Sequence, residues 1–180
     1  MTIKTNSIDT PLGSMIVISD EKTLYLLEFF DCSNLDSKLK KLEKFKGSRI
    51  VSGRTNVMDK IEKELDQYFK GELEEFQTPI EMIGTTFQKK VWLELKKIRF
   101  GKTCSYLEIA KAMNQTLAIR ASASANGANQ LAIIIPCHRV INANGAMGGY
   151  AGGLDRKKWL LNHESRVSFN SNDHIGRVEK

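Results

Sequence analysis

The 180-residue chain holds only three cysteines, three prolines and three histidines. Cys32, Cys104 and Cys137 are odd in number and far apart, which fits neither a disulfide framework nor a paired-cysteine zinc ribbon. At least one thiol is therefore free, and no metal is expected. No apolar run approaches the ~20 residues that a membrane-crossing helix requires. The opening stretch, MTIKTNSIDT, lacks the basic-then-apolar layout of a secretory signal. These absences predict a cytoplasmic protein without a membrane partner. Internal repeats and low-complexity tracts are also missing.

What is present is a 41% hydrophobic content, enough for one ordinary core or two small lobes sharing an interface. The formal charge of +6 is unevenly placed: residues 1–80 carry 12 basic against 14 acidic side chains, and residues 81–180 carry 15 against 7. A basic half suits a polyanion, because neutralised phosphates release counterions. A solvated basic surface would look the same.

β-Forming residues cluster at 7–9, 13–19 and 24–30, broken by turn residues, which predicts a small antiparallel meander. Leu35, Leu39, Leu42 and Phe45, then Val57, Ile61, Leu65 and Phe69 before Gly71, recur at helical spacing. These two helices are expected to cover one sheet face. Residues 72–84 contain Pro79 and little periodicity, so a boundary is placed near residue 83, giving lobes 1–83 and 84–180.

In the second lobe, Thr85 or Thr86 can cap a helix striped by Phe87, Val91, Leu95 and Ile98. Ser105 and Glu108 form a capping-box pattern opening a helix to Met113. Asn114 to Thr116 break it, and residues 117–126 form a second, small-residue helix. That outline matches a helix-turn-helix, although many helical pairs share it. Residues 131–135 are continuously apolar and read as a buried strand delivering Cys137 to the edge of the core. Five glycines between 145 and 153 surround Tyr150 in a loop that lets backbone approach a ligand. A last helix is expected over 154–166, and 167–180 reads as a polar, frayed tail. The fold class is α+β.

A cysteine acts through its thiolate, and the ordinary thiol is mostly protonated near neutrality unless a base or cation is close. His138 follows Cys137, but neighbours on an extended chain point apart, so a bridging water is the natural proton route. Glu164 could orient an imidazole in the nucleophile, base and orienter arrangement. Spacing alone does not pair it with His138. A cysteine after an apolar run is as readily a packing residue.

The run Pro136, Cys137, His138, Arg139, Val140 resembles the active-site signature of the O6-alkylguanine-DNA alkyltransferase family. Matches flank it at Gly84 to Gln88, Val91, Trp92, Thr103, Ser105, Tyr106, Arg120, Ala121, Asn129, residues 149–153, Lys157, Leu160, Leu161 and Glu164, covering about 84–164. Thr10 to Gly13 is similar to the family's weaker N-terminal lobe. The resemblance implies direct-reversal DNA repair, in which Cys137 irreversibly takes the alkyl group from O6-alkylguanine, with O4-alkylthymine as a candidate second substrate. It implies no cofactor, a monomer, and double-stranded DNA held by the minor groove.

Residue by residue, the resemblance makes Cys137 the acceptor, His138 the base acting through water, Glu164 its orienter and Tyr106 a donor to the departing base. Arg120 would enter the duplex where the nucleotide is flipped out, with Ala121, Ser122, Ser124 and Ala125 along the groove. Asn129 would brace a turn, and Pro136, Val140, Tyr150 and Ala151 would shape the pocket. Three residues depart from the family pattern: Phe100 and Gln130 stand where proline is usual, and Ser122 replaces valine. The missing prolines are expected to loosen two turns. Three other readings compete. A binding-only relative would lack the cysteine, a cysteine hydrolase would turn over, and a regulator would not need Cys137.

Overall fold

The computed structural model describes residues 2–175, with side chains to residue 170. Four strands form a sheet in the order β3-β2-β1-β4: β1 (Ile3–Thr10), β2 (Gly13–Ser19), β3 (Leu24–Phe29) and β4 (Ile50–Ser52). The first three pair antiparallel, as the meander predicts, and β4 adds in parallel along β1. Helices α1 (Leu35–Lys46) and α2 (Asn56–Lys70) do not share one face as expected. Leu42 packs with Ile3, Ile18 and Leu26, whereas Ile61 and Leu65 pack with Ile8, Met15 and Val17. Residues two apart on a strand share a face, so these sets lie on opposite sides of the sheet. With both faces covered, all six residues of β3 are buried.

α2 ends where Gly71 adopts φ 78°, a left-handed conformation that glycine enters without penalty. The connector 72–84 pairs with the sheet through a bridge between Ile80 and Leu24, which with the bridge between Leu131 and Leu27 covers the open edge of β3.

Beyond the connector come α3 (Thr86–Leu95), β5 (Cys104–Ser105), α4 (Tyr106–Ala112), α5 (Ile119–Gly127), a 3-10 turn (Cys137–Arg139), β6 (Val140–Ile141) and α6 (Leu154–Ile175). The expected Ser105–Glu108 capping box forms, and Thr85 caps the first of these helices, where Gln88 returns the bond to make a second box. α5 packs against α3 and α4, and the Trp92 indole donates to the Ala125 carbonyl at 2.8 Å. The short β5–β6 pair sets Val140 beside Cys104, fixing the exit of the Cys137 turn against the start of α4.

Two expectations need correction. Residues 131–135 are buried but are not a strand: after the Leu131 bridge the chain turns, with Ile133 at φ 71° and the Ile135 amide bonded back to the Leu131 carbonyl. The polar segment from 167 is not frayed where it is described. α6 continues to Ile175 and Val167 packs against the core. The rest of that expectation, 176–180, lies outside the described residues.

Candidate active site

Cys137 opens the 3-10 turn, so it and His138 are not on extended chain as expected. Cys137 is nearly closed off, at 5% exposure. Asn129 sets its position: the side-chain amide donates to the Ile135 carbonyl at 2.9 Å, the Leu131 carbonyl at 3.3 Å and Cys137 Sγ at 3.2 Å. Its own oxygen accepts from the Leu131 amide. One amide thus closes the turn and holds the thiol. Asn126 adds a bond to the Cys137 carbonyl at 3.3 Å.

Burial pushes the Cys137 thiol up to about 11, against the smaller downward pull of the Asn129 bond, so at neutral pH it is protonated. A standing thiolate, which reactivity would suggest from sequence, is not what this surrounding favours. Deprotonation must accompany the chemistry.

His138 and Glu164 are both fully buried, and His138 Nε2 lies 2.7 Å from Glu164 Oε1. Burial alone would raise the Glu164 carboxyl, yet the hydrogen bonds from His138 and Arg139 and the charge of Arg139 carry it down to about 2. Arg139 contributes Nε at 2.8 Å and Nη2 at 3.0 Å, the Tyr68 hydroxyl donates at 2.7 Å and the Gly101 amide at 3.2 Å. An ionised carboxylate only accepts, so Nε2 of His138 carries the proton and Nδ1 keeps its lone pair. Nδ1 is buried without a hydrogen-bond partner among the described protein atoms. Burial lowers the histidine below its ordinary range despite Glu164, leaving a neutral imidazole with one free acceptor.

The remaining residues of interest divide by burial. Tyr106, on α4, is half-buried, and its hydroxyl is raised first by burial and then by the Cys137 sulfur. Val140 is buried, and its carbonyl accepts from Lys157 Nζ at 2.6 Å, while the same ammonium reaches the Gly149 carbonyl at 3.1 Å. Burial lowers Lys157 to about 8. The Tyr150 ring stands edge-on to His138 at 6.4 Å, Ala151 is partly buried in the same loop, and Pro136 is buried before the turn. Arg120, Ala121 and Ser124 are exposed on α5. Ser122 and Ala125 correct the sequence reading: they lie three apart on the inward stripe, 1% and 2% exposed, and present nothing to a groove.

A cleft of about 680 Å³ is lined by Phe76, Ile98, Phe100, Pro136 and Arg139 among others and does not include Cys137. Among the described residues, no group of three or more His, Cys, Asp or Glu is placed to hold a metal ion.

Family models match nearly the whole chain. One, described as the 6-O-methylguanine DNA methyltransferase ribonuclease-like domain, covers residues 3–82, and the corresponding DNA binding domain covers 86–166. The methylated-DNA–protein-cysteine methyltransferase of Mycolicibacterium paratuberculosis is 38% identical over 166 residues, 92% of this chain and 94% of that protein. The chain belongs to this methyltransferase family. A member from Methanosarcina acetivorans is 40% identical over 87% of the chain and 94% of its own length. Mycobacterium tuberculosis OGT, solved in complex with DNA, has a TM-score of 0.77 at 35% identity, covering 93% of this chain and 94% of that one. The α+β architecture is the one this family's solved structures share.

Against the family pattern, the missing proline before Gly101 does not leave a loose turn. The Phe100 ring packs against Tyr68 and beneath the Arg139 guanidinium, Arg139 Nη1 donates to the Ile98 carbonyl at 2.6 Å, and Gly101 donates to Glu164. Gln130 is buried, and its carbonyl accepts from Leu27 of β3. Sequence reading gave no role to Tyr68, Arg139 or Asn126. Arg139 could have been suspected, since a buried arginine demands a carboxylate, but Tyr68 reads as one more apolar position of α2.

The buried carboxylate gives a pH prediction. Because Glu164 lies near 2 when folded against an ordinary 4.5, the stability it contributes is complete above the ordinary value and drains away as pH falls toward the folded one. The full loss, about 3 kcal/mol, is reached only below the folded value, and roughly 1 kcal/mol of it has gone by pH 4. His138 acts in the same direction, since its lowered value makes protonation favour the unfolded chain. Urea unfolding at pH 7 and pH 4 should show a falling midpoint. An unchanged midpoint would contradict the buried charge network.

Proposed function

We propose that Cys137 accepts the alkyl group of O6-alkylguanine in double-stranded DNA, in a single irreversible turnover that repairs the base. The observation that carries this reading is the His138–Glu164 pair beside Cys137, with His138 Nδ1 left as a buried free acceptor. The thiol proton passes through a bridging water to Nδ1, and the resulting imidazolium is stabilised by Glu164. Arg139 and Tyr68 keep that carboxylate ionised and in place. Sulfur attacks the alkyl carbon, the S–C bond forms, and the C–O6 bond breaks with its electron pair going to the purine. Tyr106 donates toward the ring as this charge develops. The thioether formed is not cleaved by water, so no step regenerates the thiol.

A stacked base cannot reach the thiol of a buried cysteine, so the nucleotide is flipped out. Room for the purine comes from the glycine loop that carries Tyr150 and Ala151, with Pro136 and the Val140 backbone forming the opposite wall. Asn129 keeps the thiol at the base of that pocket. The segment α4–turn–α5 serves as a helix-turn-helix on the minor groove. Arg120 enters the duplex, and Ala121 and Ser124 lie against the sugars. The chain divides near residue 83 into an N-terminal lobe and a C-terminal lobe holding the DNA-contacting and reacting groups. It works as a monomer in the cytoplasm.

Titrating the protein against duplex containing O6-methylguanine should restore guanine up to one lesion per chain and then stop. Continued turnover would overturn the reading in favour of a hydrolase. Arg120→Ala should slow repair of duplex ~10-fold or more, because extrusion costs a few kcal/mol. It should leave the melting temperature and reaction with free O6-methylguanine base unchanged, and an equal loss on both substrates would remove Arg120 from flipping.

A further inference from the structure

The N-terminal lobe reaches the reacting sulfur through a buried ion pair. Lys38 of α1 and Glu28 of β3 are 4% and 2% exposed and meet at 2.5 Å. Glu28 also accepts from the Phe29 amide at 3.1 Å, which fixes its carboxylate on the strand. The Lys38 ammonium makes a second short bond, 2.6 Å, to the carbonyl of Asn129, whose side-chain amide holds Cys137 Sγ. On either side, Leu27 donates to the Gln130 carbonyl and receives the Ala132 amide, both at 2.9 Å. The turn that presents the thiol is therefore clamped to the sheet of the other lobe.

A buried ion pair is a poor source of stability, since desolvation offsets most of its attraction. A pair retained at this position calls for another role. Resting on the function proposed above, we infer that Glu28 and Lys38 are positioning residues for the transfer: they fix the Asn129 backbone, and through it the amide that aims the Cys137 sulfur. Neither touches substrate. The groups facing the sulfur are Asn129 in the turn, Tyr106 on α4, Tyr150 in the glycine loop, Lys157 on α6, and Lys38 and Glu28 from the N-terminal lobe, with Lys38 and Glu28 pulling the thiol in opposite senses.

The test uses the full chain in single-turnover reactions with excess O6-methylguanine duplex, comparing wild type, Lys38→Met and the double variant Glu28→Gln with Lys38→Met. In Lys38→Met the limiting rate should fall about tenfold or more, as expected for a misplaced reacting atom, while half-saturating DNA stays within about twofold. Iodoacetamide labelling of Cys137 at mildly alkaline pH should slow as well, because Glu28 is left uncompensated. The double variant should recover melting temperature and labelling but keep the low limiting rate. If Lys38→Met does not fold, the double variant carries the test alone. A double variant transferring at the wild-type limiting rate, or rates that merely track melting temperature, would overturn the inference. A wild type that transfers nothing would instead overturn the proposed function.

Discussion

Cys137→Ser is expected to abolish transfer altogether while leaving duplex binding within about twofold of wild type. The serine hydroxyl occupies the same place and can still accept from Asn129, so folding should change by roughly 1 kcal/mol. Its oxygen is a far weaker nucleophile than sulfur toward an alkyl carbon. Gel-shift titration and guanine recovery, measured on the same preparation, check both halves. Residual repair in the serine variant would move the acceptor to another residue. Cys32 or Cys104 would be the first to examine, although burial pushes both thiols up.

Glu164→Gln should have the second largest effect, and on two observables at once. Glutamine keeps the size but removes the charge that Arg139, His138 and Tyr68 converge upon. Arg139 would be left buried without its partner, a situation that costs roughly 3–5 kcal/mol, and the melting temperature should drop accordingly. His138 would lose the group that fixes its tautomer, and the single-turnover rate should fall by roughly 100-fold or more. The acid sensitivity described above should also flatten, since glutamine does not titrate. A variant with lowered stability but wild-type rate and pH profile would make Glu164 a purely structural residue.

Local signals carried well from sequence to structure. The caps at Thr85 and Ser105 each act on an amide three residues along, and the glycine at 71 closes its own helix, so nothing distant is needed to read them. The apolar run at 131–135 misled because continuous hydrophobicity reports burial and not conformation. The Asn129 side chain, which bonds the carbonyls of Leu131 and Ile135, helps the backbone bonds of the turn satisfy its buried polar groups. The placement of α1 and α2 failed for a similar reason: each has one apolar stripe, and a stripe does not say which sheet face it meets.

At the site, Cys137, His138 and Glu164 were legible as chemistry, and the signature run suggested their grouping. Tyr68, Arg139 and the Lys38–Glu28 pair were not, because their partners sit 96, 25 and 10 residues away and only the fold brings them together. On α5, Ser122 and Ala125 were read as groove-facing because small residues suit both a groove and a tight helix contact. Their burial decides for the contact.

The most direct measurement is peptide mass spectrometry of the protein after incubation with excess O6-methylguanine duplex. The account predicts one methyl in place of one hydrogen, confined to the peptide containing Cys137, with one guanine restored per modified chain. An unmodified Cys137 peptide beside restored guanine, or a methyl carried on any other residue, would contradict it.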